Sequence, residues 1–247
     1  MTITRHLEIT TVDGATVAAV AMRPPDAMSG FVLAHGAGAG MHHAFMEAAA
    51  QGLAARRIAS LRFQFPFMQA GKRRVDTAPI AHATVRAAVS RATSLWPELP
   101  LFAGGKSFGG RMTSQAQAIE PLPRVVGLIF LGFPLHPAAK PGLERAAHLA
   151  SIDVPMRFIR GSNDALAEAR QFDPMVSGLG PIASRYDIAQ ADHMFHMPKR
   201  SGRSDEDALD ELLDAVAVWT QAWGIQPSMS SHEPRRFQRQ GVKAVDA

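Results

Sequence analysis

Leu101-Phe102-Ala103-Gly104-Gly105-Lys106-Ser107-Phe108-Gly109-Gly110 begins as an apolar strand, turns on glycine and serine, and runs on into a helical pattern. Inside it lies Gly105-Lys106-Ser107-Phe108-Gly109, a G-x-S-x-G pentapeptide at a predicted strand-to-helix junction. The placement carries the information. A serine held on so sharp a turn needs glycine two positions away on either side, and its hydroxyl then stands clear above the end of a sheet. An ordinary glycine-rich turn is the plainer reading of the same letters. A phosphate-loop reading fails, because Gly105-Lys106-Ser107 would require the first glycine of that motif at residue 100, which is Pro100.

A serine hydroxyl is a poor nucleophile near neutral pH, so it needs an imidazole base, and the base needs a carboxylate to fix its tautomer. Downstream, Asp164 follows the apolar run Met156–Gly161, and His193 follows the run Ser184–Ala189. Taken singly, Asp164 reads as a turn former or helix cap, and His193 has Asp192 and His196 as local competitors. Together with Ser107 they fall in the order Ser, Asp, His, each just past the C-terminal end of a predicted strand, where open α/β sheets gather their functional loops. Acyl transfer also needs N–H donors for a developing oxyanion. Phe108, next after the serine, can supply one. The loop His35-Gly36-Ala37-Gly38-Ala39-Gly40, at the end of another apolar run, can supply the second from Ala37, with His35 ordering the loop. A dinucleotide fingerprint there fails because the third glycine would fall on Met41.

The rest of the chain fits a layered α/β fold. Residues 5–22 alternate around Asp13-Gly14, a pair suited to a tight hairpin, and predict two antiparallel strands. Further strands are expected at 30–34, 59–65, 99–104, 125–131, 156–161 and 184–189. Helices are expected at 43–57, 80–95, 108–119, 143–149, 165–175 and 205–223. In the last of these, Leu209, Leu212, Leu213, Val216 and Trp219 share one face, and Asp205, Glu206 and Asp207 favour its N-terminal end. This alternation predicts a mostly parallel sheet of about eight strands covered by helices on both faces. One domain is expected over residues 1–225, and the polar stretch 226–247 is expected to be a mobile tail.

Composition narrows the function. The chain has no cysteine, which removes disulfides, zinc-thiolate sites and a thiol nucleophile. No apolar stretch approaches the roughly 18 residues of a membrane span, and the start lacks a signal-peptide pattern, so a cytoplasmic, non-membrane protein is expected. A net charge of +4 invites a nucleic-acid reading. The basic residues lie at Lys72-Arg73-Arg74 and at Arg235, Arg236, Arg239 and Lys243 without an aromatic platform beyond Phe237, so no nucleic-acid partner is expected. Oligomeric state is left open, and no cofactor or metal is implied.

From about His6 to Trp223 the order of strands, loops and motifs resembles the α/β-hydrolase superfamily. His35-Gly-Ala-Gly-Ala-Gly40, the run Gly105–Arg111 and Leu131-Gly-Phe-Pro-Leu-His-Pro137 are similar to a small serine-hydrolase group related to dienelactone hydrolases. The resemblance implies Ser107 as nucleophile, Asp164 as acid, His193 as base, and Ala37 and Phe108 as oxyanion donors. It departs at the nucleophile, which is cysteine in dienelactone hydrolases and serine here. The implied activity is cleavage of a small ester or thioester through an acyl-enzyme; a peptidase on the same triad and a catalytically silent binding or scaffold protein are the alternatives. Too little chain separates Ser107 from Asp164 for a lid domain. The mouth of the site is therefore expected to be made by loops, with Phe67, Met68, Leu135, Met194 and Phe195 as its apolar lining beside Phe65.

Overall fold

In a computed structural model, which describes residues 1–224, eight strands form one sheet in the order β1-β2-β4-β3-β5-β6-β7-β8. The strands are β1 (Ile3–Thr10), β2 (Thr16–Arg23), β3 (Ser29–Ala34), β4 (Ile58–Phe63), β5 (Leu101–Lys106), β6 (Val125–Leu131), β7 (Met156–Gly161) and β8 (Ala183–Ile188). β2 runs antiparallel to β1 and β4, and all later pairings are parallel. The first hairpin closes through residues 11–15, with Thr11 N–H on Ala15 O. It is therefore wider than the tight turn expected from Asp13-Gly14, and of that pair only Gly14 takes a positive φ, 84°.

Alternating residues of the parallel strands feed two separate cores, as the two-residue period of a strand requires. Val32, Ala34, Ala103, Leu128, Phe130 and Phe158 face one way, onto α3 (Ala78–Leu95), α4 (Phe108–Ile119) and α5 (Ala169–Gly178). Phe31, Leu33, Phe102, Ile129, Leu131 and Ile159 face the other, onto α1 (Ala44–Ala55) and α6 (Asp205–Gly224). α6 begins on a reciprocal cap: Asp207 N–H donates to Ser204 Oγ at 3.1 Å, and Ser204 N–H donates to Asp207 Oδ2 at 2.7 Å. Its Leu212 and Val216 are fully buried.

Three elements differ from expectation. β5 runs on through Gly104 and Gly105 to Lys106, because glycine permits the φ values of 154° and 149° that carry the strand into the turn. The helix expected at 143–149 is only a 3₁₀ turn at Ala147–Ser151. The helix expected at 165–175 starts later, at Ala169, leaving residues 162–168 as loop. A short helix unforeseen in the sequence, α2 (Pro66–Gln69), follows β4. The connection from β6 to β7 holds nothing but loop and that 3₁₀ turn, so among the described residues no lid domain covers the sheet. No described helix is long and apolar enough to cross a membrane. The segment 226–247, with its basic residues, lies outside the described residues.

Candidate active site

Ser107 sits between β5 and α4 with φ 48° and ψ −111°, a backbone conformation that non-glycine residues rarely adopt. The crossing is tight. A Cβ on Gly105 would lie 2.1 Å from Ala34 O, and one on Gly109 would lie 2.5 Å from the same oxygen, so both neighbours must be glycine for β5 and α4 to pack against β3. The strained turn lifts the hydroxyl to the C-terminal edge of the sheet. There Ser107 Oγ donates to His193 Nε2 at 2.9 Å, and His193 Nδ1 donates to Asp164 Oδ2 at 2.8 Å. The Asp164 side chain is fully buried, while His193 keeps 17% exposure, enough to meet a small molecule at the surface.

Both loops that carry these groups are anchored. Asp164 Oδ1 accepts from Leu166 N at 2.8 Å, which fixes the carboxylate plane. Arg160, 2% exposed on β7, donates to Ala167 O and pairs with Asp187 on β8 at 2.9 Å, clamping the far end of the Asp164 loop. The two loops also bind each other: Asn163 N donates to Ala191 O at 2.9 Å, Asn163 Nδ2 to Gln190 O at 2.9 Å, and Gln190 N to Ser162 Oγ at 2.8 Å. Asp192 and His196, the local competitors of His193, are turned to other tasks. Asp192 Oδ1 accepts from the N–H groups of Met194 and His196, shaping the turn, and His196 pairs with Asp205 at the start of α6.

Lys106 is the unexpected neighbour. It is 5% exposed, and its Nζ donates to the backbone carbonyl of His193. The ammonium lies 4.9 Å from the ring centre of Phe195 and 6.0 Å from that of Phe45, whose rings stack on each other. Burial pushes its pKa down to about 8, although Asp164 and Asp192 pull the other way. No pattern in the sequence marks this role, because the lysine occupies a variable position of the pentapeptide.

The loop after β3 closes the other flank. His35 is fully buried: its Nδ1 donates to Gly36 O at 2.7 Å and its Nε2 accepts from Phe65 N at 3.0 Å. Burial lowers its pKa to about 4, so it stays neutral and acts as a peg for the loop. Ala37 lines, with Ser107 and His193, a cavity of about 350 Å³. Phe108 is the first residue of α4, so its N–H has no acceptor inside the helix.

Of the five residues expected at the mouth, only Met194 lines this cavity, where Phe45, Met46 and Leu166 join it. Phe67 and Leu135 are buried in the sheet's first core, and Met68 packs against it. Phe67 stacks with Phe65 beside His35, which explains the inward turn. Phe195, 2% exposed, belongs to the second core beneath Lys106. Among the described residues no cluster of three or more His, Cys, Asp or Glu side chains is placed to hold a metal ion.

The family described as alpha/beta hydrolase domain matches residues 27–221. Among solved structures, the chain is similar to an alpha-beta serine hydrolase homologue from Coxiella burnetii, at 18% identity and TM-score 0.69, covering 87% of this chain and 96% of that one. It is similar to a dienelactone hydrolase from Anabaena variabilis, at 16% identity and TM-score 0.69, covering 90% and 98%. A serine hydrolase without a lid from Xanthomonas campestris is similar at 19% identity and TM-score 0.67, covering 87% and 94%. At such identities these structures speak for the fold.

Proposed function

The chain belongs to the alpha/beta hydrolase family, and on that premise we propose that it is a serine hydrolase that cleaves small esters or thioesters through an acyl-enzyme. The observation that carries the reading is the unbroken chain of hydrogen bonds from Ser107 Oγ through His193 to the buried Asp164, at 2.9 and 2.8 Å, built on a serine held at positive φ.

Ser107 Oγ attacks the carbonyl carbon while its proton passes to His193 Nε2. The buried Asp164 carboxylate stabilises the imidazolium and keeps Nδ1 protonated. The oxyanion forms beside the N–H groups of Phe108 and Ala37; each such donor is worth on the order of 100- to 1000-fold in rate. His193 returns the proton to the departing oxygen or sulfur, and the same steps with water release the acid and restore Ser107. Every proton moves through side chains of this chain.

A fluorophosphonate probe tests the reading. Label on Ser107 of the native protein, lost in Ser107→Ala, is the expected result. A folded protein that takes no label, and turns over no ester, is a silent hydrolase-fold binding protein instead.

A further inference from the structure

Beside the Ser107 cavity lies a second one of about 370 Å³. The two share His43, Phe45 and Met194 as a common wall. The second extends along α1 past Ala48 to Leu209 of α6, and its ionisable groups are His43 at the shared wall, the His196–Asp205 pair and Glu206. Nothing in the triad chemistry uses it.

Two constraints decide which half of a substrate it faces. His193 must hand its proton to the departing atom, so the leaving group lies on the imidazole side of the scissile bond. Met194, the next residue, stands between the cavities and is 55% exposed, free to move aside. On the opposite flank the wall is closed by packed side chains. Phe65, Phe67 and Leu135 are at most 1% exposed, and the two phenyl rings pack edge-on against Phe108 at 5.2 and 6.0 Å.

We propose that the second cavity binds the alcohol or thiol portion of the substrate, and that this protein selects esters joining a short acyl group to an extended, uncharged apolar leaving group. The selection rests on the serine-hydrolase reading and adds to it a direction along the substrate. The leaving group would run from Ser107 over Phe45 and Met194 toward Ala48 and Leu209, losing water as it goes.

The test uses two ester series, methyl to hexyl acetate and ethyl acetate to ethyl octanoate, with the native chain and two variants. Ala48 is half-buried on α1 and lines the second cavity but not the first. Ala48→Trp fills the groove, whereas Ala48→Ser leaves it open. In the native protein kcat/KM rises by up to about fourfold for each methylene of the alcohol that enters the groove, and does not rise along the acyl series. Ala48→Trp abolishes the rise, and Ala48→Ser retains it. A rise that follows acyl length instead, or one that survives Ala48→Trp in a variant of native thermal stability, overturns the proposal while Ser107 still takes the fluorophosphonate label. If no ester is cleaved and no label forms, the hydrolase reading itself fails.

Discussion

Replacing Lys106 by methionine should make the protein more stable near neutral pH and a poorer catalyst. The unbranched thioether, one heavy atom shorter, keeps most of the side chain's apolar contact beside Phe45 and Phe195, but removes a charge held in an almost water-free setting. Lowering the ammonium from its ordinary 10.5 to about 8 corresponds, at about 1.4 kcal/mol per pH unit, to a folding cost of roughly 3 kcal/mol while the group is charged. Against this stands the lost bond to the His193 carbonyl, about 1.5–3 kcal/mol for a charged donor, so the net gain at pH 7 lies between zero and about 2 kcal/mol. The pH dependence isolates the burial effect. Between pH 8 and 10.5 the unfolded chain binds the lysine proton more readily than the folded one, so native stability rises with pH through that window. The advantage of Lys106→Met must therefore shrink by most of that ~3 kcal/mol between pH 7 and 10. Urea unfolding of both proteins at the two pH values measures it. With its carbonyl released, the His193 loop can drift, and displacements near 1 Å cost about 100-fold in rate; a kcat reduced at least tenfold is expected at pH 7. A stability difference constant across the pH range, or an unchanged kcat, would refute the argument.

Three further outcomes are expected. Asp164→Asn keeps the bond from Leu166 N but presents the wrong partner to His193, and kcat should fall by about 10⁴-fold with KM little changed in steady-state assays. Gly105→Ala places a methyl 2.1 Å from Ala34 O at a φ of 149°, a strain expected to exceed about 4 kcal/mol; native-like thermal unfolding of that variant would show that the strands can part. His35 must gain a proton as pH falls from 6.5 to about 4. The unfolded chain binds it first, so stability declines through that window by up to roughly 3 kcal/mol, and His35→Gln should flatten the acid limb of a stability–pH curve.

The sheet and the meeting of Ser107, Asp164 and His193 were legible in the sequence because each rests on a local signal: apolar runs bounded by glycine, and polar residues placed at strand ends. What the sequence could not convey was which way a side chain turns. Phe65, Phe67 and Leu135 stand in the connections that follow strands near the site, where apolar residues can line a mouth or fill a core. The buried His35, with Phe65 N–H on its Nε2, holds Phe65 inward, and Asp76 Oδ2 accepts from Phe67 N at 3.0 Å. Phe45 reads as one face of a helix, and its place over Lys106 depends on a loop far along the chain. Arg160 reads as a charge interrupting a strand, although it clamps the Asp164 loop through partners 7 and 27 residues away. Long-range pairings of this kind have no sequence period.

The ties among Ser162, Asn163, Gln190 and Ala191 make the acid and the base parts of one stitched unit. Thermal motion or a distant mutation therefore moves carboxylate and imidazole as a body, and what varies is their joint distance from the serine. For protein engineering this means the two segments are best transplanted as a matched cassette. Grafting either one alone would leave its stitches hanging in the host.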